Sequence, residues 1–207
     1  DVAEPLALVT EVAGSELGPS DLRGLASFYL TRGGDEVPEG VRIMEDLVAS
    51  ESSPSPNNLR LLAIIQLSAG DKESSAKTWG RLAEMRPDDA ITLNNYAYLL
   101  ATELNDPMQA EPIAKKAVLL QPRESSVIDT MAIIQQQLGN YEGALSSLRS
   151  RLALEPNDAV LLRAIATLLS DHTDRPEDAV VYSDRALLID PRGAETLDVA
   201  GWALWRS

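Results

Sequence analysis

The chain is 207 residues long, contains no cysteine and carries a net charge of −14, with a pI near 4.4. Phosphate contacts by Lys and Arg supply most nucleic-acid affinity, so this charge disfavours nucleic acid and anionic membranes as partners. The missing cysteines exclude disulfides, thiolate metal sites and cysteine nucleophiles. The longest apolar runs, such as LLAII at 61–65, are too short to cross a bilayer, and residues 1–20 lack the basic start and apolar run of a signal peptide.

Leu6, Leu8, Val9 and Val12, ending near Gly14, form one short helical pattern in residues 1–18. A short amphipathic helix is unstable alone, so this stretch is expected to be the second helix of an incomplete unit. From Pro19, the segment PSDLRGLASFYLTRGG places Leu22, Leu25, Ala26 and Tyr29 on one face and ends at Gly33-Gly34. A partner helix starts after Val37-Pro38 and carries Gly40, Ile43, Met44 and Leu47. ESSPSP at 51–56 falls within the usual length of a helix connection and reads as a plain connector.

The next unit has Leu59, Leu62 and Ala63 before the turn Gly70-Asp71, then Trp79 and Leu82 as core positions, with Asp71 as N-cap. From Asp88 the chain runs through LNNYAYLLATEL into DPMQAEPIAKKAVLLQP. Pro112 lies inside the second pattern, which predicts a late helix start or a mild bend.

The clearest unit is SSVIDTMAIIQQQLGNYEGALSSLRSRLALEP, residues 125–156. Ile128, Met131, Ala132, Ile134, Gln135 and Leu138 recur at three- and four-residue intervals, and Gly139-Asn140 breaks the helix with residues that tolerate left-handed backbone. A second helix from Tyr141 puts Ala144, Leu145, Leu148, Leu152 and Ala153 inward, and Pro156 closes it. Residues 157–191 repeat the pattern, and RGAETLDVAGWALWRS is one more first helix without a partner.

Pro87, Pro122, Pro156 and Pro191 close successive units 35, 34 and 35 residues apart. Ala26, Ala63, Ala97, Ala132, Ala166 and Gly201 form a small-residue column in the first helices; Gly40, Ser75, Ala110, Ala144 and Ala179 form another in the second helices. On these residues the chain resembles the tetratricopeptide repeat family over nearly its whole length. Arg151 departs from the usual small residue of its column, only Trp79 keeps the second-helix aromatic, and insertions precede Pro38, Pro107 and Pro176.

The resemblance implies an all-α, right-handed superhelical solenoid of antiparallel helix pairs. Residues 1–18 would be a second helix, 19–55, 56–87, 88–122, 123–156 and 157–191 five repeats, and 192–207 the first helix of a truncated repeat. Incomplete repeats at both ends imply that residues 1 and 207 are not natural termini. LNNYAYLLA and LDVAGWALWRS also resemble segments of bacterial repeat proteins of envelope and exopolysaccharide-export systems, which points to a bacterial source and leaves the compartment open between cytoplasm and periplasm or envelope.

In that family the first helices line the concave surface. The resemblance then places Arg60, Asn94, Asn95, Tyr98, Asp129, Thr130, Ile133, Gln136, Gln137, Arg163, Thr167, Asp198 and Trp202 in the groove. Asn, Gln and Tyr offer donors and acceptors to an extended peptide backbone, so Asn94, Asn95, Tyr98, Gln136 and Gln137 form the candidate patch. Only Asn95 fits the Lys-Asn clamp of relatives that grip chaperone tails, because Lys115 and Lys116 lie on a second helix.

No phosphate loop, metal motif or nucleophile elbow occurs, and His172, the single histidine, falls in the turn SDHTDRP as a solvated residue. The expected function is a non-enzymatic protein-interaction scaffold that needs no cofactor, with a protein or peptide as partner. Two other readings are a self-association module (a homo-oligomer) built on Trp202 and Trp205 of the unpaired helix, and a regulatory module of a larger chain.

Overall fold

The computed structural model describes residues 17–207, so the expected helix over Leu6–Val12 lies outside the described residues. Among those described there are eleven α-helices. The first six are α1 (Pro19–Arg32), α2 (Val37–Ser50), α3 (Pro56–Ser68), α4 (Lys72–Met85), α5 (Ala90–Thr102) and α6 (Pro107–Leu120). α7 (Ser125–Gln137), α8 (Tyr141–Leu154), α9 (Ala159–His172), α10 (Pro176–Ile189) and α11 (Ala194–Arg206) follow.

The turns within pairs follow from local chemistry. After α3 and α7, Gly70 and Gly139 take φ +83° and +72°, the left-handed region that glycine enters without a Cβ penalty. The next amide closes the turn in each case: Asp71 N–H donates to Gln66 O at 2.9 Å and Asn140 N–H to Gln135 O at 2.8 Å. Asp71 and Asn140 then cap the second helix by accepting from Ser74 N–H and Gly143 N–H. Asn140 therefore acts as an N-cap at φ −83°, and Gly139 alone supplies the left-handed residue. At the ESSPSP connector, Ser55 caps α3 while Glu51 accepts from both Ser55 N–H and Asn58 Nδ2.

Two sequence expectations are corrected. α6 starts early, at Pro107, where Asp106 accepts from Gln109 N–H; Pro112 is carried inside the helix instead of delaying it. A proline there lacks only the amide that would have bonded Met108 O, a loss near the solvated helix start. Ala153 is exposed: α8 turns its Leu148, Arg151, Leu152 stripe inward, and Ala153 falls beyond that face.

The chain forms two compact units, residues 1–99 and 100–207, with the boundary inside α5. In the first, α1 packs on α2 and α3 on α4, and α3 also meets α1 and α2. A Cβ on Gly40 would lie 3.2 Å from both Ala26 O and Tyr29 Cβ, so the two small-residue columns meet backbone to backbone here. Ser75 makes the same approach polar, its hydroxyl donating to Ala63 O at 2.7 Å. In the second unit α6 packs on α7, α7 on α8, α8 on α9, α9 on α10, and α11 on both α9 and α10. Its core runs from Ala132 and Ala144 through Leu162, Ile165, Ala166 and Leu169 to Ala179 and Ala203, all buried.

Candidate functional site

The first helices carry a recurring polar position three residues before the small-residue column: Arg23, Arg60, Asn94, Asp129, Arg163 and Asp198. Where it is arginine, the side chain reaches forward to the start of the next first helix. Arg23 donates to Asn58 Oδ1 at 3.4 Å, Arg60 to Asp89 Oδ2 at 3.2 Å, and Arg163 to Glu195 Oε2 at 2.8 Å and Thr196 Oγ1 at 3.2 Å. Each guanidinium clips one repeat to the next. Asp89 is also the cap of α5, accepting from Ile91 N–H, Thr92 N–H and the Thr92 hydroxyl. Its partial burial opposes the charged form, but the Thr92 bonds and Arg60 outweigh this and hold its carboxyl below the usual range.

Repeat four inverts the scheme. Asp129 stands where an arginine would, and Asp158, the cap of α9, is the acid ahead of it. Arg151 of α8 makes up the deficit, its Nε 3.4 Å from Asp129 Oδ2 and its Nη1 3.0 Å from Glu155 Oε1. The corresponding residues in the neighbouring repeats, Ala117 and Ala186, are fully buried, so Arg151 threads a guanidinium through a column otherwise filled by methyl groups. Burial raises the Asp129 carboxyl above its ordinary range with help from Asp158 and Glu155, against the pull of Arg151.

In the first unit, α5 presents Asn94, Asn95 and Tyr98. Asn94 is 8% exposed, and its Oδ1 is buried without a hydrogen-bond partner. Asn95 is half-buried, and one turn beyond Asn94 the ring of Tyr98 is 45% exposed. At the same register on α3, Arg60 Nε is also buried without a partner, although its Nη2 holds Asp89.

In the second unit the predicted groove residues separate. Thr130 is corrected: it is 3% exposed, and its hydroxyl bonds back to Ser126 O at 2.9 Å, so it is a core residue. Asp129 and Arg163 are committed to ion pairs. Ile133 is half-buried, Gln136 and Thr167 are exposed, and Gln137 is exposed at one end while its Nε2 donates to Ala101 O at 3.1 Å. The repeat position that the resemblance assigns to the groove is buried here, and a threonine suits it because its hydroxyl is satisfied on the preceding turn.

On α11, Trp202 and Trp205 stack with centroids 4.9 Å apart, and Asp198 is exposed beside them. Trp202 Nε1 donates to Asp171 Oδ1 at 2.6 Å, and Arg206 lies over its ring while donating to Ser170 O. His172 is exposed at the end of α9 and stacks on Tyr141 at 4.1 Å, bordering a cleft of about 470 Å³ shared with Glu142 and Arg175. Arg175 and Glu142 are paired at 2.6 Å. Among the described residues no cluster of three metal-ligating side chains occurs, and no helix is long and apolar enough to cross a membrane.

No family model matches the chain. It is 26% identical over 187 residues to the TPR repeat-containing protein PA4667 of Pseudomonas aeruginosa, covering 87% of this chain but 31% of that protein. The chain thus spans less than a third of the length of the curated relative it matches. Similar solved structures include MamA from residue 41 onward of Desulfovibrio magneticus RS-1, with TM-score 0.72 and 13% identity over 85% of this chain and 97% of that one. PilW, a type IV pilus biogenesis factor, gives TM-score 0.67 and 18% identity over 93% and 91%. A thermophilic TPR protein of Thermus thermophilus gives 0.58 and 19% over 91% and 100%. At these identities the structures speak to the fold, which is that of stacked tetratricopeptide helix pairs.

Proposed function

Taking as premise that this chain is a solenoid of tetratricopeptide repeats, we propose that it is a non-enzymatic scaffold that holds an extended segment of a partner protein against its first helices. The observation that carries this is Asn94: a buried amide oxygen with no partner, one turn from an exposed tyrosine ring. An unsatisfied buried acceptor costs on the order of 1–3 kcal/mol, which is recovered when the amide turns out to meet a backbone N–H of a bound segment. Asn95 adds a donor and an acceptor beside it, and Tyr98 adds apolar area with a polar tip. On the second unit Gln136, Gln137 and Thr167 expose polar groups beside half-buried Ile133, a separate surface suited to the same kind of contact. Thr130 does not belong to it; Arg163 acts there through its clip to the next first helix, and Asp129 through its ion pair with Arg151 of the same helix pair.

The test is recovery of cellular proteins on immobilised wild-type chain and on Asn95→Ala/Tyr98→Ala. Neither side chain is in the core, so the variant keeps its fold. The expected result is loss of the partners retained by the wild type. Equal recovery refutes the α5 patch.

A further inference from the structure

In the first unit α3 and α5 are joined where Arg60 holds Asp89, the α5 cap. Together these helices span 26 residues and carry one charge, Arg60, where the chain's 24% charged content would give about six. The second helices of the same unit, α2 and α4, carry four and five. Burial does not account for the deficit, because the exposed positions lack charge as well: Asn57, Ile64 and Ser68 on α3, Ile91 and Tyr98 on α5. Residues 34 apart stand in register on the two helices, Arg60 with Asn94 and Ile64 with Tyr98. The first of these rows is polar and incomplete, since Arg60 Nε and Asn94 Oδ1, a donor and an acceptor, are both buried without a partner. One turn on, the second row is apolar and open, with Ile64 39% and Tyr98 45% exposed. Ile91, one turn before Asn94 on the same face of α5, is exposed too.

We infer that this surface selects an extended segment bearing apolar side chains and no charge, held by contacts that salt does not screen. The inference rests on the reading of α5 as the binding surface and adds what that surface selects. One peptide unit offers one N–H and one C=O, the complement of Asn94 Oδ1 and Arg60 Nε. Apolar side chains of the segment cover Ile64, Ile91 and Tyr98 and remove them from water. A charged side chain placed there loses hydration and finds no counter-ion, because Asp89 already neutralises Arg60. A chain of net charge −14 that recruited basic segments by charge would set carboxylates on this face, and α3 and α5 have none.

The probe is a phage-displayed library of random linear peptides, selected on the full chain and counter-selected on Asn95→Ala/Tyr98→Ala to discard peptides that bind elsewhere. Survivors are synthesised with a fluorescent label and titrated by polarisation. The expected survivors are rich in apolar residues and depleted of Asp, Glu, Lys and Arg, and their affinity changes less than about twofold between low and high salt. Two variants place a charge on the face without reaching the core. Ile91→Asp sets a carboxylate in the first turn of α5, where the helix N-terminus favours it, and Ile64→Lys can lay its stem along the surface. Circular dichroism verifies that both stay folded, and each is expected to weaken binding about tenfold or more. Survivors rich in charge, whose binding falls about tenfold in high salt, overturn the inference and leave the α5 surface as a binding site. Unchanged affinity in Ile91→Asp or Ile64→Lys also overturns it. If no peptide survives counter-selection, the inference and the α5 patch fall together.

Discussion

Replacing Arg151 with alanine tests whether the guanidinium in the small-residue column serves charge or packing. Alanine fits the column, as Ala117 and Ala186 demonstrate in the neighbouring repeats, so the substitution introduces no clash. It removes the ion pairs to Asp129 and Glu155 and leaves Asp129, Asp158 and Glu155 facing one another. Breaking a fully buried pair costs about 3–5 kcal/mol and an exposed one about 0–1. The two carboxylates retain 43% and 54% exposure against 11% for Arg151, so the charge part lies near the lower of these ranges, at ~1 kcal/mol. Lost packing of the arginine stem adds ~1 kcal/mol. The sum of about 2 kcal/mol lowers the melting temperature by about 4–8 °C for a chain of this size.

The charge part has a pH signature. Asp129 has a raised folded-state pKa, so its contribution to stability is complete below the ordinary Asp range and is lost as pH rises through the raised value. Without Arg151 that penalty grows at neutral pH and disappears once the carboxyl is protonated. Urea denaturation of wild type and Arg151→Ala at pH 7 and at about pH 4, the ordinary Asp range, is therefore expected to give a deficit that narrows in acid. Adding Asp129→Asn to Arg151→Ala restores the charge part at pH 7. A deficit equal at both pH values and untouched by Asp129→Asn refutes the account and assigns Arg151 a packing role alone.

Ala132→Phe drives a ring into the contact with Ala144, both residues being at most 1% exposed. Overpacking is expected to destabilise by about 1–3 kcal/mol, and an unchanged melting temperature would contradict the column register. Asp89→Ala removes the α5 cap and the Arg60 clip together, with an expected loss of about 1–2 kcal/mol in urea denaturation. Because the Asp89 carboxyl is held low, its stabilisation is present above the ordinary carboxylate range and fades as pH falls through the lowered value. The gap between wild type and variant should accordingly close only in acid.

Helix pairing was legible because it rests on local rules. The prolines end second helices, Gly70 and Gly139 take the left-handed turn, and the alanine columns are buried as their spacing requires. What periodicity missed concerns polar residues whose role depends on contacts about thirty residues away. Arg163 carries a groove position in sequence, yet Glu195 and Thr196 engage it. Arg151 looked like a lapse in the pattern, although a trace was present: Arg60 and Asp89 are 29 residues apart, and so are Asp129 and Asp158, with both members acidic. That like-charge pair called for a third, cationic residue. Thr130 and Ala153 show the remaining limit, that the edge of an amphipathic stripe is fixed by packing angle and not by hydropathy.

The arginine clips also bear on how such a chain can be shuffled. Arg60 belongs to one repeat and Asp89 opens the next, so a cut at the closing proline separates two halves of one interaction. A repeat transplanted by its 34-residue boundaries would carry an arginine without its acid, or, in the fourth repeat, an Asp129 that meets whatever cap follows. The unit that can be duplicated or exchanged without a misfit therefore runs from just before the arginine of one first helix to just past the acid that caps the next. Its boundaries are offset from those that the helix pairs suggest.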